Sequence, residues 1–154
     1  MAYAEDTTGR REYTLKFKNL NTGQTYENVL SNSSGDMAWS SDGRYLFYVL
    51  RDKETLLPFK LFRHEIGSLQ SDDVLVYEEK DPTFYLSVGN SRSMQFIEIN
   101  ISSTTSSEVR LINADFPEES PDIFFKRESD HLYSIEHDPE NNRFLIETNW
   151  LAKN

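Results

Sequence analysis

An early stretch of the chain alternates apolar segments with polar turns, and this alternation predicts short antiparallel strands. Residues 37–40 form a short apolar segment that ends at the polar turn 41–43, where a glycine suits a positive φ. Residues 45–50 are almost all apolar, which is typical of a strand buried on both faces. Two further strand-like segments, residues 59–66 and 74–77, follow after turn residues. Four short antiparallel strands within about 40 residues are typical of one blade of a β-propeller.

The same order of segments recurs along the chain, and this repeat is the most informative feature of the sequence. First strands are predicted at residues 37–40, 84–86 and 132–134. Second strands are predicted at residues 45–50, 96–101 and 144–148, and third strands at 13–20, 59–66 and 109–112. Outer strands are predicted at residues 26–30, 74–77 and 121–125. The first strands follow one another at steps of about 47 residues, close to the repeat length of propeller blades.

We therefore predict an all-β fold of about three four-stranded antiparallel blades, forming an incomplete segment of a β-propeller. The predicted units are a partial blade at residues 1–32, complete blades at 36–79 and 83–125, and a partial blade at 131–150. Propellers close as rings, and ring closure removes exposed sheet edges. Three blades cannot close, so we expect this segment to belong to a larger protein and, alone, to self-associate through its blade edges. A complete β-sandwich, which would be a compact monomer, is the alternative fold.

Composition narrows the class of protein. The formal net charge of −10 and the pI near 4.7 argue against nucleic acid or an anionic membrane as a partner. The acidity favours a soluble protein and is explained most simply by solubility alone, and the alternative is that it suits cationic substrates. The chain contains no cysteine, which excludes disulfides, thiolate nucleophiles and thiolate metal sites. We find neither a membrane-spanning apolar run nor a signal peptide, so the expected location is the cytoplasm.

No catalytic constellation is present in the sequence. The six glycines never lie four residues apart, so the G-x-S-x-G motif of α/β-hydrolases is absent, and phosphate-binding glycine loops fail for the same reason. His131 and His137, with Glu136 and Asp138 beside the second histidine, suggest a metal site at first sight. However, six residues of strand span about 20 Å, so we predict no metal site and no cofactor.

Arg10 and Arg11 are the charged feature that stands out, because they adjoin each other in a predicted connection of an acidic chain. Paired arginines in such a position are suited to bridging carboxylates on a neighbouring domain. The alternative is that they pair locally with Glu5, Asp6 or Glu12.

Strings of residues resemble the propeller of the oligopeptidase B (protease II) family, within the prolyl oligopeptidase group of serine peptidases. The strings lie at residues 2–6, 9–20, 22–23, 46–49, 54–58, 63–64, 76–81, 83–85, 105–111, 130–131 and 133–134. They cover nearly the whole chain, and several are long enough to be specific to this family rather than to propellers in general.

The resemblance implies a parent protein with two domains. An α/β-hydrolase domain, absent from this chain, would carry a Ser-Asp-His triad, and a seven-bladed propeller would cap it and limit access to a central cavity. Such enzymes hydrolyse short peptides after lysine or arginine. The resemblance assigns no catalytic residue to this chain, which is therefore expected to be inactive alone, and it implies an interdomain contact for Arg10 and Arg11. The rival function is that of a non-catalytic propeller serving as a protein-interaction scaffold.

Overall fold

The computed structural model describes residues 1–152, and in this range the chain forms twelve β-strands and one short 3-10 turn, Gln70–Asp72. The strands are β1 Ala2–Glu5, β2 Tyr13–Phe17, β3 Leu30–Trp39, β4 Tyr45–Arg51, β5 Pro58–Glu65, β6 Val74–Glu78, β7 Tyr85–Asn90, β8 Phe96–Ser102, β9 Ser107–Asn113, β10 Asp122–Phe125, β11 Tyr133–Asp138 and β12 Arg143–Thr148. Residues 1–152 contain no helix long and apolar enough to cross a membrane.

The strands form three antiparallel sheets. The first sheet has six strands in the order β1-β2-β3-β4-β5-β6, the second has four in the order β10-β9-β8-β7, and the third pairs β11 with β12. Neighbours in each sheet are also neighbours in sequence, as expected for consecutive hairpins and meanders. The predicted all-β antiparallel fold is confirmed.

Strand β3 differs from the prediction, because it is one strand of ten residues, Leu30–Trp39, rather than an outer strand at 26–30 and a separate strand at 37–40. Its first part pairs with β2 and its last part pairs with β4, with a shift in register between Ser33 and Met37. The predicted outer strand failed because residues 26–29 have little ladder pairing. Instead the Asn28 amide donates to the carbonyls of Gly67 and Ser68. Strand β3 runs from the predicted partial blade at residues 1–32 into the predicted blade at 36–79. The boundary between these two blades therefore stays a prediction.

Strand β4 supplies side chains to two apolar cores. Phe47 and Val49 lie in a core shared with strands β7, β8 and β9 of the four-stranded sheet. Leu46 and Tyr48 lie in a second core with residues of β2 and β3. Successive side chains of a strand point to opposite faces, so this distribution confirms that the apolar run at residues 45–50 is a strand buried on both faces.

The loops lie at two ends of the sheets. At one end, called the upper end, the β1–β2 loop (residues 6–12) meets the β4–β5 loop (residues 52–57). The Arg51 Nη1 atom, at the start of the second loop, donates to the Arg11 carbonyl over 2.6 Å. At the opposite, lower end, the Ser41 amide of the β3–β4 turn donates to the Ala114 carbonyl of the next sheet over 2.9 Å.

A buried polar network crosses the six-stranded sheet. The fully buried His64 contacts an Asp73 oxygen through Nδ1 over 2.7 Å, and the Tyr48 hydroxyl donates to the other Asp73 oxygen over 2.7 Å. Gln70 donates to the Tyr48 hydroxyl and also contacts the backbone of Ser31. Burial is the main cause that raises the pKa of Tyr48, and the Asp73 carboxylate adds to it. The buried bonds of Asp73 therefore tie strands β4 and β5 to the β5–β6 connection, and Gln70 extends the network to β3 through bonds that are exposed.

Replacement of Asp73 by alanine is expected to reduce the free energy of unfolding by about 2–4 kcal/mol, because it leaves the buried groups of His64 and Tyr48 without an acceptor. Urea denaturation measures the change. Asp72→Ala is the matched control, since the neighbouring carboxylate is exposed, and its effect should stay within about 0.5 kcal/mol. Equal effects of the two substitutions would contradict a stabilising role for the network.

Candidate interdomain surface

The β1–β2 loop at the upper end is organised by one carboxylate. The Asp6 side chain accepts hydrogen bonds from the amides of Thr8, Gly9 and Arg11 over 2.9, 2.9 and 2.7 Å. These bonds, the one from the Thr8 amide first, lower the pKa of Asp6 against a smaller opposing effect of desolvation. Aspartate at the start of a turn commonly bonds backbone amides a few residues ahead. The loop therefore has a defined backbone conformation although its side chains face solvent.

Both backbone polar groups of Arg11, its amide and its carbonyl, are hydrogen-bonded to side chains. Its backbone has φ of 61°, in the left-handed region that residues other than glycine rarely adopt. Its amide is bonded to Asp6, and its carbonyl accepts the 2.6 Å hydrogen bond from Arg51. The Asn32 amide donates to the Arg51 carbonyl over 2.7 Å. Three segments, the β1–β2 loop, β3 and the end of β4, are thus connected at the upper end.

The side chains of Arg10 and Arg11 are exposed, and within residues 1–152 neither forms an ion pair. The structure does not show the local pairing with Glu5, Asp6 or Glu12. Glu5 instead pairs with Lys16, and Asp6 bonds backbone amides. The two guanidinium groups are therefore available to a partner at the upper end.

Arg51 is a residue of this surface that the sequence analysis missed. Its Nη1 atom reaches the β1–β2 loop, its Nε atom is buried without a hydrogen-bond partner, and within the described part of the chain it forms no ion pair. A sequence signal does exist. Asp52, which follows Arg51, caps the amides of Glu54 and Thr55 as Asp6 caps those of its own loop. The repeat of this turn marks the two loops as alike, but only the folded structure shows that Arg51 contacts the Arg11 carbonyl.

Other charged groups contrast with this surface because they are satisfied within the chain. Glu79 is buried and accepts hydrogen bonds from Arg127 and from the Tyr77 hydroxyl, while Arg127 also lies 3.5 Å from Glu108. Burial by itself would raise the pKa of Glu79, but Arg127, the Asp81 amide and Tyr77 together lower it. This cluster joins the connections that follow β6 and β10, and we assign it a structural role.

The histidines considered as metal ligands have separate partners. His137 is buried and its Nδ1 lies 2.8 Å from the Ser93 hydroxyl, whereas the His131 Nε2 lies 3.1 Å from the Thr148 hydroxyl. In residues 1–152 no group of three histidine, aspartate or glutamate side chains is placed to hold a metal ion.

Comparison with known proteins defines the class of this fold. The family model described as "Prolyl oligopeptidase, N-terminal beta-propeller domain" matches residues 1–154. The chain belongs to this family, and the family is one of serine peptidases. The β-propeller fold and the resemblance stated from the sequence are thereby confirmed, and the β-sandwich alternative is wrong.

Particular relatives agree with this assignment. Dipeptidyl aminopeptidase BI of Pseudoxanthomonas mexicana is 45% identical over 152 residues, which are 97% of this chain and 20% of the relative. Protease 2 of Moraxella lacunata is 38% identical over 156 residues, 100% of this chain and 22% of the relative. The structure of oligopeptidase B from Leishmania major superimposes with a TM-score of 0.88 at 32% identity, over 96% of this chain and 21% of that protein. The chain thus spans about a fifth of the length of these relatives.

Proposed function

We propose that this chain is a segment of the propeller of a serine oligopeptidase that hydrolyses short peptides after lysine or arginine, and that the propeller limits access to the active site. The observation that carries the proposal is the match of the whole chain to the propeller of prolyl oligopeptidases. Similarity to proteins named oligopeptidase B and Protease 2 supports the finer assignment. An α/β-hydrolase domain supplies the catalytic triad, and this chain supplies no catalytic residue and no cofactor site.

The proposed role of the propeller is that of a sieve. A ring of blades leaves a central channel that is too narrow for a folded domain but wide enough for an extended peptide. The net charge of −10 suits cationic peptides as substrates. We place the protein in the cytoplasm, and the absence of cysteine is in keeping with a reducing compartment.

A non-catalytic interaction scaffold is the alternative function, and activity separates the two. We expect the 154-residue chain to cleave neither lysyl nor arginyl amide substrates. A full-length protein that carries this segment should cleave both substrates and should be blocked by a serine-directed inhibitor. It should not cleave a folded protein that contains the same lysyl and arginyl bonds. Inhibitor-sensitive hydrolysis by the isolated chain, or no hydrolysis by the full-length protein, would contradict the proposal.

We further propose that Arg10 and Arg11 contact carboxylates of the hydrolase domain. Their exposure at the upper end, the fixed backbone that carries them and the lack of an ion pair in residues 1–152 support this role. Arginine suits it because the planar guanidinium group binds a carboxylate with two parallel hydrogen bonds.

Charge reversal of both residues, Arg10→Glu with Arg11→Glu, is expected to lower kcat/KM of the full-length peptidase about tenfold or more. The two introduced glutamates would then face carboxylates of the hydrolase domain, and about 1.4 kcal/mol of lost interaction corresponds to a factor of ten. The thermal midpoint should change little, because both side chains are exposed. Lys18→Glu with Arg92→Glu is the control for charge alone, since it makes the same charge change just after β2 and in the β7–β8 turn, away from the β1–β2 loop. Unchanged kinetics in the first variant would remove both arginines from the contact.

The 154-residue chain is also proposed to self-associate through a blade edge. In residues 1–152, β12 pairs with β11 alone, and Leu145, Ile146 and Trp150 are 50%, 43% and 57% exposed. Exposed apolar edge strands pair readily with other chains. If two copies pair antiparallel with Leu145 facing its equivalent, Arg143 of each copy faces Glu147 of the other. Opposite charges at such facing positions stabilise a sheet pair.

Light scattering over a concentration series tests this pairing. A dimer or larger species is expected for the natural chain. Glu147→Arg should weaken association, because arginines would then face each other, and the exchange Arg143→Glu with Glu147→Arg should restore it. A monomer at all concentrations, or no difference between these variants, would contradict pairing through β12.

A further inference from the structure

We infer that Arg51, acting with Asp6, is a positioning residue that fixes the β1–β2 loop so that Arg10 and Arg11 are presented to carboxylates of a partner. The inference rests on the proposed function, because that function supplies the partner. Neither the sequence pattern nor the resemblance assigns a role to Arg51.

The loop is clamped from two directions. Asp6 holds it from the β1 side through the amides of Thr8, Gly9 and Arg11. Arg51 holds it from the β4 side through the Arg11 carbonyl at 2.6 Å, the only side-chain bond from another hairpin to this loop in residues 1–152. The backbone of Arg11 is therefore fixed at both its amide and its carbonyl. Fixing the backbone before a partner binds reduces the entropy lost on binding.

Comparison with the other hairpin loops of the upper end shows that this second clamp is specific. The β4–β5 loop is closed by its own residues, chiefly Asp52, which accepts from the amides of Glu54 and Thr55. The β8–β9 loop is closed by Ser103, whose hydroxyl bonds the amide and carbonyl of Ser106. Neither loop receives a guanidinium group from a neighbouring hairpin. The additional clamp occurs at the loop that carries paired arginines.

The position of the Arg51 side chain is not explained by a gain in local stability. Its Nε atom is closed to solvent and has no hydrogen-bond partner, and no carboxylate within residues 1–152 neutralises its charge. A buried donor without a partner is unfavourable. Arg11 in turn adopts the left-handed conformation, which is unfavourable for a residue with a side chain. Two unfavourable features at one contact are typical of a segment held in shape for binding.

The partner that fits this surface carries carboxylates. Arg10 and Arg11 are adjacent and exposed, and the Arg51 guanidinium group bonds the backbone of Arg11. Arg51 keeps Nη1 on the loop, so Arg10 and Arg11 are the groups that bind the partner. Arg51 acts through them.

Hydrogen exchange of the 154-residue chain tests the positioning role directly. In Arg51→Met, which keeps an unbranched apolar stem but loses the donors, the amides of Thr8, Gly9 and Arg11 should exchange about tenfold faster. In Arg51→Lys, which keeps a donor for the Arg11 carbonyl, exchange should stay near that of the natural chain. The amides of Glu54 and Thr55 are the internal control, because Asp52 holds them without Arg51. Unchanged exchange in Arg51→Met would overturn the inference.

Kinetics of a full-length peptidase that carries this segment separate this inference from the proposed function. Support requires that Arg51→Met lowers kcat/KM, that Arg51→Lys restores it, and that the thermal midpoint is retained. A loss in the Arg10/Arg11 reversal without any loss in Arg51→Met would overturn the positioning role and leave the proposed interdomain contact intact. No loss in either variant would overturn the contact itself, and the positioning role with it.

Discussion

The burial of strand β4 on both faces is the constraint on which the rest of the structure depends. Its side chains alternate between the core shared with β2 and β3 and the core shared with the four-stranded sheet. A shift of one residue in its register would exchange the two sets and place Tyr48 and its hydroxyl in the wrong core. The buried bonds from Tyr48 to Asp73 and from Asp73 to His64 fix that register with polar contacts that only one alignment satisfies.

Charged side chains of this chain are of two kinds. Some are ion-paired between the sheets and have a structural role, whereas others are exposed and are assigned to the proposed function. Glu79 and Glu108 are buried between neighbouring sheets, and each of them pairs with Arg127, which stays partly exposed. At the upper end, Arg10 and Arg11 are solvated and without ion pairs in the described residues, on a loop whose backbone is held firmly. Stiff loops with unpaired arginines are suited to docking, because little freedom remains to be lost on binding.

Turn chemistry repeats along the chain even where the residue types change. Gly43, Met94 and Asn142 occupy the left-handed region in the three turns that follow β3, β7 and β11. Glycine adopts this conformation freely and asparagine tolerates it, whereas methionine does not favour it. The turn at Gly43 was predicted from its glycine and its polar neighbours. The conformation of Met94 is imposed by the hairpin that it closes.

The sequence by itself determined that the chain forms antiparallel strands, and it determined the approximate position of most strands, the blade repeat and the family. Apolar periodicity and turn residues are local properties, because they depend on residues that are neighbours in sequence. Tertiary structure decided that β3 continues through ten residues, because its two parts gain ladder bonds from strands distant in sequence. It also decided that Arg51 touches the loop of Arg10 and Arg11. That contact joins residues forty positions apart, and no local pattern records which hairpins lie side by side.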